Sequence, residues 1–468
     1  MAYTSVNINR FYGRERELQL LKKFQEDVFE RGISRFVVVT GRRRIGKTRL
    51  IEEALPDSTK MPTISIYVAS QLANSNLTDF VHEIQKALEI PYPLAISSYE
   101  DAFTLIFKEA ERRPITLVLD EFQNFNVVDP TVFDTLQRLW DRQHQKSKIL
   151  IVTCGSVASS MRDIFENGKA PLFARESAFI RLMPFLPQLL KTILSDHKSD
   201  FTGEDLLSLY AFTGGVAHYV KSFLATGALT FDEMLNQSLL FNSGLISEAQ
   251  LMIAAEFKGN ASRMNEILMA ISQGRCKRSE LASLFDVDIS GHLHQLENMY
   301  GLIEKVEPLG KNGAKRKRVR YELTDELLDF WYTFCLPNLK MLQSDKTMAL
   351  QELIKSGYPT WSGRILERLY RRHFRNLGIF TDVGPWWDKN GENEIDLVAV
   401  NSVHKRIVFA EVKRNEDKID LNTLKKKVEA FLTFNPEYAS FKQETLALSL
   451  KELSADGVLP FLDEAAEN

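Results

Sequence analysis

Hydrophobic and polar positions alternate in two rhythms over residues 1–240. Residues 36–40 are a short β-branched run, followed by a glycine-bounded loop and a helical pattern from about Lys47. Residues 63–69 alternate with the period of a strand, and residues 78–88 carry the period of an amphipathic helix. Residues 115–119 and 149–153 are two further apolar runs of the buried-strand kind. This succession predicts a parallel sheet covered by helices. Beyond Pro184 the pattern turns helical, punctuated by Pro187, the Gly214-Gly215 pair and Gly227. Residues 262–300 hold three short helical patterns, then two strand-like runs (302–306 and 319–323) joined by a lysine-rich loop. A helical stretch covers 325–360, and the remaining residues return to a mixed α/β pattern without internal repeats.

The composition narrows this picture. The 468 residues suggest about three domains. Hydrophobic residues make up 44% and charged residues 26%, which excludes a largely disordered chain. No run approaches the ~18 apolar residues of a membrane span, and the first ten residues lack the basic start and apolar core of a secretory signal. The three cysteines, Cys154, Cys276 and Cys335, are not spaced as metal ligands, so a reducing, cytoplasmic setting is expected. A net charge of −3 leaves nucleic-acid binding open, and the clustering of the basic residues becomes the useful signal.

The sharpest chemical signal is the run Gly41, Arg42, Arg43, Arg44, Ile45, Gly46, Lys47, Thr48, with Arg49 next in the helix. It satisfies G-x-x-x-x-G-K-[ST] between a predicted strand and a predicted helix. Glycines let backbone N–H groups approach phosphates, and the helix N-terminus adds its positive end. Lys47 is placed to reach the β- and γ-phosphates of ATP, and Thr48 to ligate Mg2+. Asp120 and Glu121 end the strand at 115–119, which suits Asp120 to the Mg2+ shell and Glu121 to the role of general base. Ser156, just past the strand at 149–153, is either a γ-phosphate donor or a helix N-cap. Arg175 either stabilises transition-state charge, in cis or from a neighbouring subunit, or makes a surface salt bridge. Action on a neighbour's nucleotide would imply a homo-oligomer.

The run 11–18 (Phe-Tyr-Gly-Arg-Glu-Arg-Glu-Leu), the loop at 41–48, Leu-Asp-Glu-Phe-Gln at 119–123, Cys-Gly-Ser at 154–156 and Thr-Gly-Gly-Val-Ala-His-Tyr at 213–219 resemble the archaeal-type P-loop ATPase family, related to the AAA+ and STAND groups. The resemblance implies that the segment before Gly13 packs near the adenine. It also implies that the Gly214-Gly215 turn, in a helical lid, closes over the nucleotide. Members often carry proline where this chain has Ala217.

Residues 279–285 and 290–300 read as two helices, with Leu281, Leu284, Leu293, Leu296 and Met299 at amphipathic spacing. A hairpin follows over 302–323, with Lys311, Lys315, Arg316, Lys317, Arg318 and Arg320 in or beside its turn. Two helices and a basic hairpin form the winged-helix pattern, and clustered cations at 311–320 suit a phosphate backbone, making DNA a candidate partner. A solvated charged turn or a protein-contact surface is the alternative.

Near the C-terminus, residues 393–400 and 406–413 both read as strands. Alternation puts Glu411 and Lys413 on one face, beside Asp396 if the strands pair. Two carboxylates and a lysine so placed can bind Mg2+ through Asp396 and Glu411 and orient a water against a phosphodiester. The helical stretch 365–374 brings a further acid, Glu367. Helix with Glu, strands, Asp, Glu-x-Lys, helix, strand resembles the PD-(D/E)XK nuclease fold, and also the C-terminal domain attached to the same ATPase family. Such a fold serves either cleavage or binding and assembly.

The expected fold class is therefore α/β: a P-loop NTPase parallel sheet with a helical lid, a winged helix-turn-helix, and an α/β restriction-endonuclease-like domain. Expected boundaries are 1–245 for the ATPase core (lid 184–245), 246–340 for the winged helix and 341–468 for the nuclease-like domain. The expected function is ATP hydrolysis coupled to DNA association, with Mg2+-dependent cleavage. The alternative is a nucleotide-dependent switch that cuts nothing.

Overall fold

The computed structural model describes residues 10–70, 73–156, 158–239, 261–310, 319–344 and 347–463. They fall into two compact units, Gly13–Pro184 on one side and Phe185 onward, together with the residues up to Tyr12, on the other.

The first unit is built on five parallel strands: β1 (Arg35–Thr40), β2 (Thr63–Tyr67), β3 (Ile115–Asp120), β4 (Ile149–Gly155) and β5 (Ala178–Arg181), in the order β2-β3-β4-β1-β5. The three inner strands are buried along nearly their whole length. Continuous β-branched and leucine runs are what a strand covered on both faces requires. Edge strand β2 alternates instead, with Ile64 and Ile66 buried and Ser65 and Tyr67 exposed. The opposite edge, β5, is a four-residue strand that the hydrophobic pattern does not signal. Flanking helices present apolar faces. In the helix Tyr99–Arg112, Ala102, Phe103, Ile106, Phe107 and Ala110 are buried, and Ser98 caps its start by accepting from the Asp101 amide at 3.1 Å.

In the second unit, the helices Pro187–His197, Gly203–Thr213, Ala217–Thr226 and Phe231–Leu239 come first. Gly203–Thr213 is almost wholly buried, and a Thr202/Asp205 capping box starts it. Phe212 meets Phe330 edge-on at 5.0 Å, and the hydroxyls of Ser208 and Tyr358 lie 2.8 Å apart. The expected lid helices thus share a core with the C-terminal half of the chain.

Helices Ala261–Ser272, Arg278–Ala282 and Ser290–His294, the last continuing to Met299, precede an antiparallel pair, β6 (Ile303–Val306) and β7 (Arg320–Leu323). Lys277 adds a single antiparallel bridge to Arg320. The expected cations Lys311, Lys315, Arg316, Lys317 and Arg318 lie outside the described residues, as does the expected boundary at 245/246.

The long helix Thr347–Asn376 leads into β8 (Asp382–Trp387), β9 (Glu394–Asn401) and β10 (Arg406–Val412), antiparallel neighbours. The helix Leu421–Phe434 then crosses over to β11 (Lys442–Leu448), which runs parallel to β10. The order is β11-β10-β9-β8, a mixed sheet of the kind a helix crossover makes. Among the described residues no helix is long and apolar enough to cross a membrane.

Candidate functional site

The loop between β1 and the helix Lys47–Ala54 owes its shape to three residues at positive φ: Gly41 (153°), Arg44 (65°) and Gly46 (97°). A Cβ on Gly41 would stand 2.8 Å from the Leu182 carbonyl oxygen, so only glycine fits there. Lys47 is buried, and its ammonium donates to the carbonyls of Gly41 (3.0 Å) and Arg42 (3.3 Å). Burial lowers its pKa, and Glu121, Cys154 and Asp120 oppose that in part. Ile45 is buried under the loop, while Arg43, Thr48 and Arg49 are exposed. Arg49 pairs with Glu53 at 3.2 Å, one turn along its own helix, so that side chain is a helix-surface contact.

Register brings the acids to this loop. β3 and β1 flank β4, and all three end at the same edge. Thr48 Oγ1 donates to Asp120 Oδ2 at 2.8 Å. Asp120 Oδ1 accepts from the Glu121 amide (2.9 Å) and from the thiol of Cys154 (3.0 Å). Burial pushes the Cys154 thiol pKa well up, and the Asp120 charge adds to the effect. Glu121 turns off the strand at φ 53°, and its Oε2 accepts from Ser156 Oγ at 2.7 Å and from the Gln123 amide. Ser156 therefore reaches the Glu121 carboxylate. Gln123 and Cys154 stand in the runs 119–123 and 154–156 that carry the family resemblance, but the sequence assigns neither a role; their contacts follow from their places next to β3 and on β4. A hydroxyl and a carboxylate oxygen in mutual contact, both hard donors, fit Mg2+, which keeps several waters and takes one or two protein ligands plus phosphate oxygens.

Arg175 is not brought to this cluster. It follows Ala174 at positive φ and makes a two-pronged pair with Asp141 at 2.9 and 3.0 Å, while also donating to the Phe173 carbonyl.

In the second unit, the Gly214-Gly215 turn has φ values of 57° and 76°, and Arg372 donates to the Gly214 carbonyl at 3.3 Å. Tyr12 donates to Asp196, on the helix Pro187–His197, at 3.0 Å.

The C-terminal residues do come together. Lys413 Nζ lies 3.0 Å from Asp396 Oδ2 and 3.0 Å from Glu411 Oε1, and the Val412 amide donates to Asp396 Oδ2 at 2.8 Å. Burial raises the Asp396 pKa, an effect that Lys413 opposes and Glu411 reinforces. Glu367, on the long helix, is pushed up to about 8 by burial and then by the Asp396 charge, with Arg371 and Lys413 countering. Sequence reasoning missed Lys427, on the crossover helix, which donates to Glu411 Oε2 at 2.8 Å. Burial raises Glu411, but the hydrogen bonds from Lys427 and Lys413 outweigh it and leave its pKa lowered. Both oxygens of Glu411 thus carry an ammonium. Among the described residues no group of three or more His, Cys, Asp or Glu is arranged to hold a metal ion.

Arg320 differs from the expected phosphate contact. Its guanidinium donates to both oxygens of Glu394 (2.6 and 3.0 Å) and lies 4.0 Å from the centroid of the Trp387 ring.

Residues 11–223 match a family model described as an ATPase domain predominantly from Archaea. Residues 331–427 match one described as Archaea bacterial proteins of unknown function. An uncharacterized protein of Methanocaldococcus jannaschii is 27% identical over 414 residues, 86% of this chain and 87% of its own length. Among solved structures, the Walker-type ATPase of Pyrococcus abyssi is similar with a TM-score of 0.50 at 16% identity, over 69% of this chain and 96% of that one. The ORC2 protein of Aeropyrum pernix gives 0.47 at 15% identity, over 74% and 97%. The five-stranded parallel sheet with its glycine loop is thus a P-loop NTPase fold. Over residues 11–223, just under half of its length, the chain carries an ATPase domain of the kind found predominantly in Archaea.

Proposed function

We propose that this chain binds and hydrolyses ATP and acts on DNA. The observation that carries the ATP reading is the 2.8 Å contact of Thr48 with Asp120 beside the buried Lys47. Lys47 is already aimed into the loop by two carbonyls, and phosphate oxygens would take their place as acceptors. The backbone N–H groups of 41–48 and the helix start would hold the phosphates. Thr48 and Asp120 would hold Mg2+, which supplies charge neutralisation on the β- and γ-phosphates. Glu121 accepts the proton of the attacking water once Ser156 and Gln123 give up its Oε2. Arg175 would act on a neighbour's nucleotide in a homo-oligomer only after leaving Asp141. Lys47→Ala is expected to weaken ATP binding, and Glu121→Gln to bind ATP without turnover. Normal hydrolysis by Glu121→Gln would overturn the base assignment.

Helices 278–299 with the β6–β7 pair support a winged helix over 246–340 as the DNA contact, through the basic run 311–318. The grouping of Asp396, Glu411, Lys413 and Glu367 supports a nuclease-like domain over 341–468 that cleaves phosphodiesters. A cytoplasmic setting fits this role. One observation favours a second reading, a nucleotide-dependent switch whose C-terminal domain only docks: Lys427 occupies the Glu411 oxygen that Mg2+ would need. Plasmid and linear DNA incubated with Mg2+, with and without ATP, separate the two. Cleavage by the parent and not by Lys413→Ala supports the nuclease; binding without cleavage by both supports the switch.

A further inference from the structure

Cys154 is fully buried on β4, beside Val39 of β1 and one residue beyond the Thr153–Leu119 pairing with β3. It therefore sits under the loop, between the strand that feeds it and the strand that ends in Asp120. Its sulfur is 3.0 Å from Asp120 Oδ1, and a carboxylate oxygen only accepts, so the thiol hydrogen lies on that line. The other oxygen, Oδ2, faces Thr48.

This division of the two oxygens matters because the terminal torsion of an aspartate is broad and poorly fixed by its own rotamer preference. Something outside the side chain must choose which oxygen points at the loop. Thr48 cannot make that choice during turnover, because its hydroxyl is the group that exchanges Asp120 for a cation. The Glu121 amide also reaches Oδ1 at 2.9 Å, but it belongs to the adjoining residue, in the turn at φ 53° that leaves the strand, and so ties the side chain only to its own segment. Cys154 is the donor on an independent strand, anchored by ladder bonds on both sides.

We infer that Cys154 is a positioning residue for the nucleotide site: its thiol pins Asp120 Oδ1, so that Oδ2 faces Thr48 and the pair is set for Mg2+ before nucleotide arrives. The inference rests on assigning Thr48 and Asp120 to the metal. It adds a residue whose role is neither to touch nucleotide nor to titrate. Thiols are weak donors, but a charged acceptor strengthens the bond. Its loss is expected to cost roughly three- to tenfold in the affinity that depends on the metal.

The test is binding of a fluorescent ATP analogue to the full chain, with Mg2+ and with EDTA, for the parent, Cys154→Ala and Cys154→Ser. The serine variant keeps a donor in almost the same place and fills nearly the same volume. Support is a three- to tenfold weaker Mg2+-dependent affinity in Cys154→Ala, unchanged binding in EDTA, and recovery in Cys154→Ser. A loss shared equally by both conditions marks a packing effect and overturns the inference. So does parent-like Mg2+ dependence in Cys154→Ala, or a serine variant as poor as alanine. A parent whose binding is indifferent to Mg2+ would overturn the metal assignment of Thr48 and Asp120, and the role of Cys154 with it.

Discussion

Lys427 donates to Glu411 Oε2 at 2.8 Å while Lys413 lies 3.0 Å from Oε1, so a single carboxylate is shared by two ammonium groups. Lys413 comes from the strand edge and also touches Asp396, whereas Lys427 comes from the crossover helix and serves Glu411 alone among the described acids. A divalent cation entering here must displace Lys427. Lys427→Gln is therefore expected to tighten Mg2+ or Mn2+ binding about tenfold, a gain of ~1.4 kcal/mol. Titration calorimetry in a Lys47→Ala background, without nucleotide, measures it. No binding by either the parent or Lys427→Gln would remove the metal-dependent cleavage reading.

Much of this arrangement is legible in the residues. The runs at 36–40, 115–119 and 149–153 become β1, β3 and β4, because strands buried on both faces are nearly continuous apolar runs, each broken by a single buried threonine (Thr40, Thr116 or Thr153). Short edge strands do not announce themselves: β5 has four residues and one buried side chain, and β8, with Pro385 inside it, pairs with β9 alone among the described strands. The stretch at 365–374 proves to be the end of a 30-residue helix that contains Pro359, a residue that argues locally for a break. Asp396, Glu411 and Lys413 meet because alternation and register follow from period-two geometry. The contacts of Lys427 with Glu411, of Cys154 with Asp120 and of Arg320 with Glu394 are not readable, because each depends on which elements pack together.

The Glu322–Arg371 pair should make stability depend on acid. Arg371 Nη2 is 2.9 Å from each Glu322 oxygen, and the arginine side chain is only 6% exposed. Burial acts most strongly on Glu322 and raises it, but the charges of Arg371 and Arg368 and the Arg371 hydrogen bond leave its pKa below the ordinary 4.5. A depressed folded value means that the contribution is present above the unfolded pKa and disappears as pH falls through the folded one. Glu322→Gln strands a buried guanidinium, so it should destabilise by roughly 3 kcal/mol at neutral pH. Urea unfolding over a pH series should show that deficit shrinking below the ordinary carboxylate range. A deficit constant with pH would mean that packing, not charge, is at stake.

Two glycines with nearly equal φ make a controlled pair. Gly215 (76°) and Gly227 (70°) both hold a left-handed backbone, but a Cβ on Gly215 would lie 2.4 Å from the Phe185 carbonyl oxygen, whereas Gly227 faces open space. Gly227→Ala should cost about 1 kcal/mol, the left-handed strain alone. Gly215→Ala adds a backbone clash that no rotamer relieves, and should cost roughly 3 kcal/mol or more. Thermal denaturation of the two variants side by side separates strain from crowding; equal losses would mean that the turn at 214–215 relaxes freely.

Arg320, at the end of the basic run 311–320 that suits a phosphate backbone, is engaged within the protein instead. Its guanidinium has a carboxylate on its edge and an indole against its face, and only 21% of the side chain is exposed. An arginine held both ways is not matched by lysine, which has neither the fork nor the plane. Arg320→Lys should therefore lose about 1 kcal/mol of stability, and a double-mutant cycle with Glu394→Gln should show coupling of similar size. The consequence for DNA is the more telling one. A cation that contacts phosphate releases counterions, so removing it lowers the slope of log affinity against log salt by about 1. Lys315→Ala and Arg316→Ala, in the basic run, should each lower that slope. Arg320→Ala should leave it unchanged even where it weakens the fold, since a guanidinium engaged by Glu394 makes no phosphate contact and so displaces no counterion from the DNA. A reduced slope in Arg320→Ala would mean that the arginine leaves Glu394 to bind DNA.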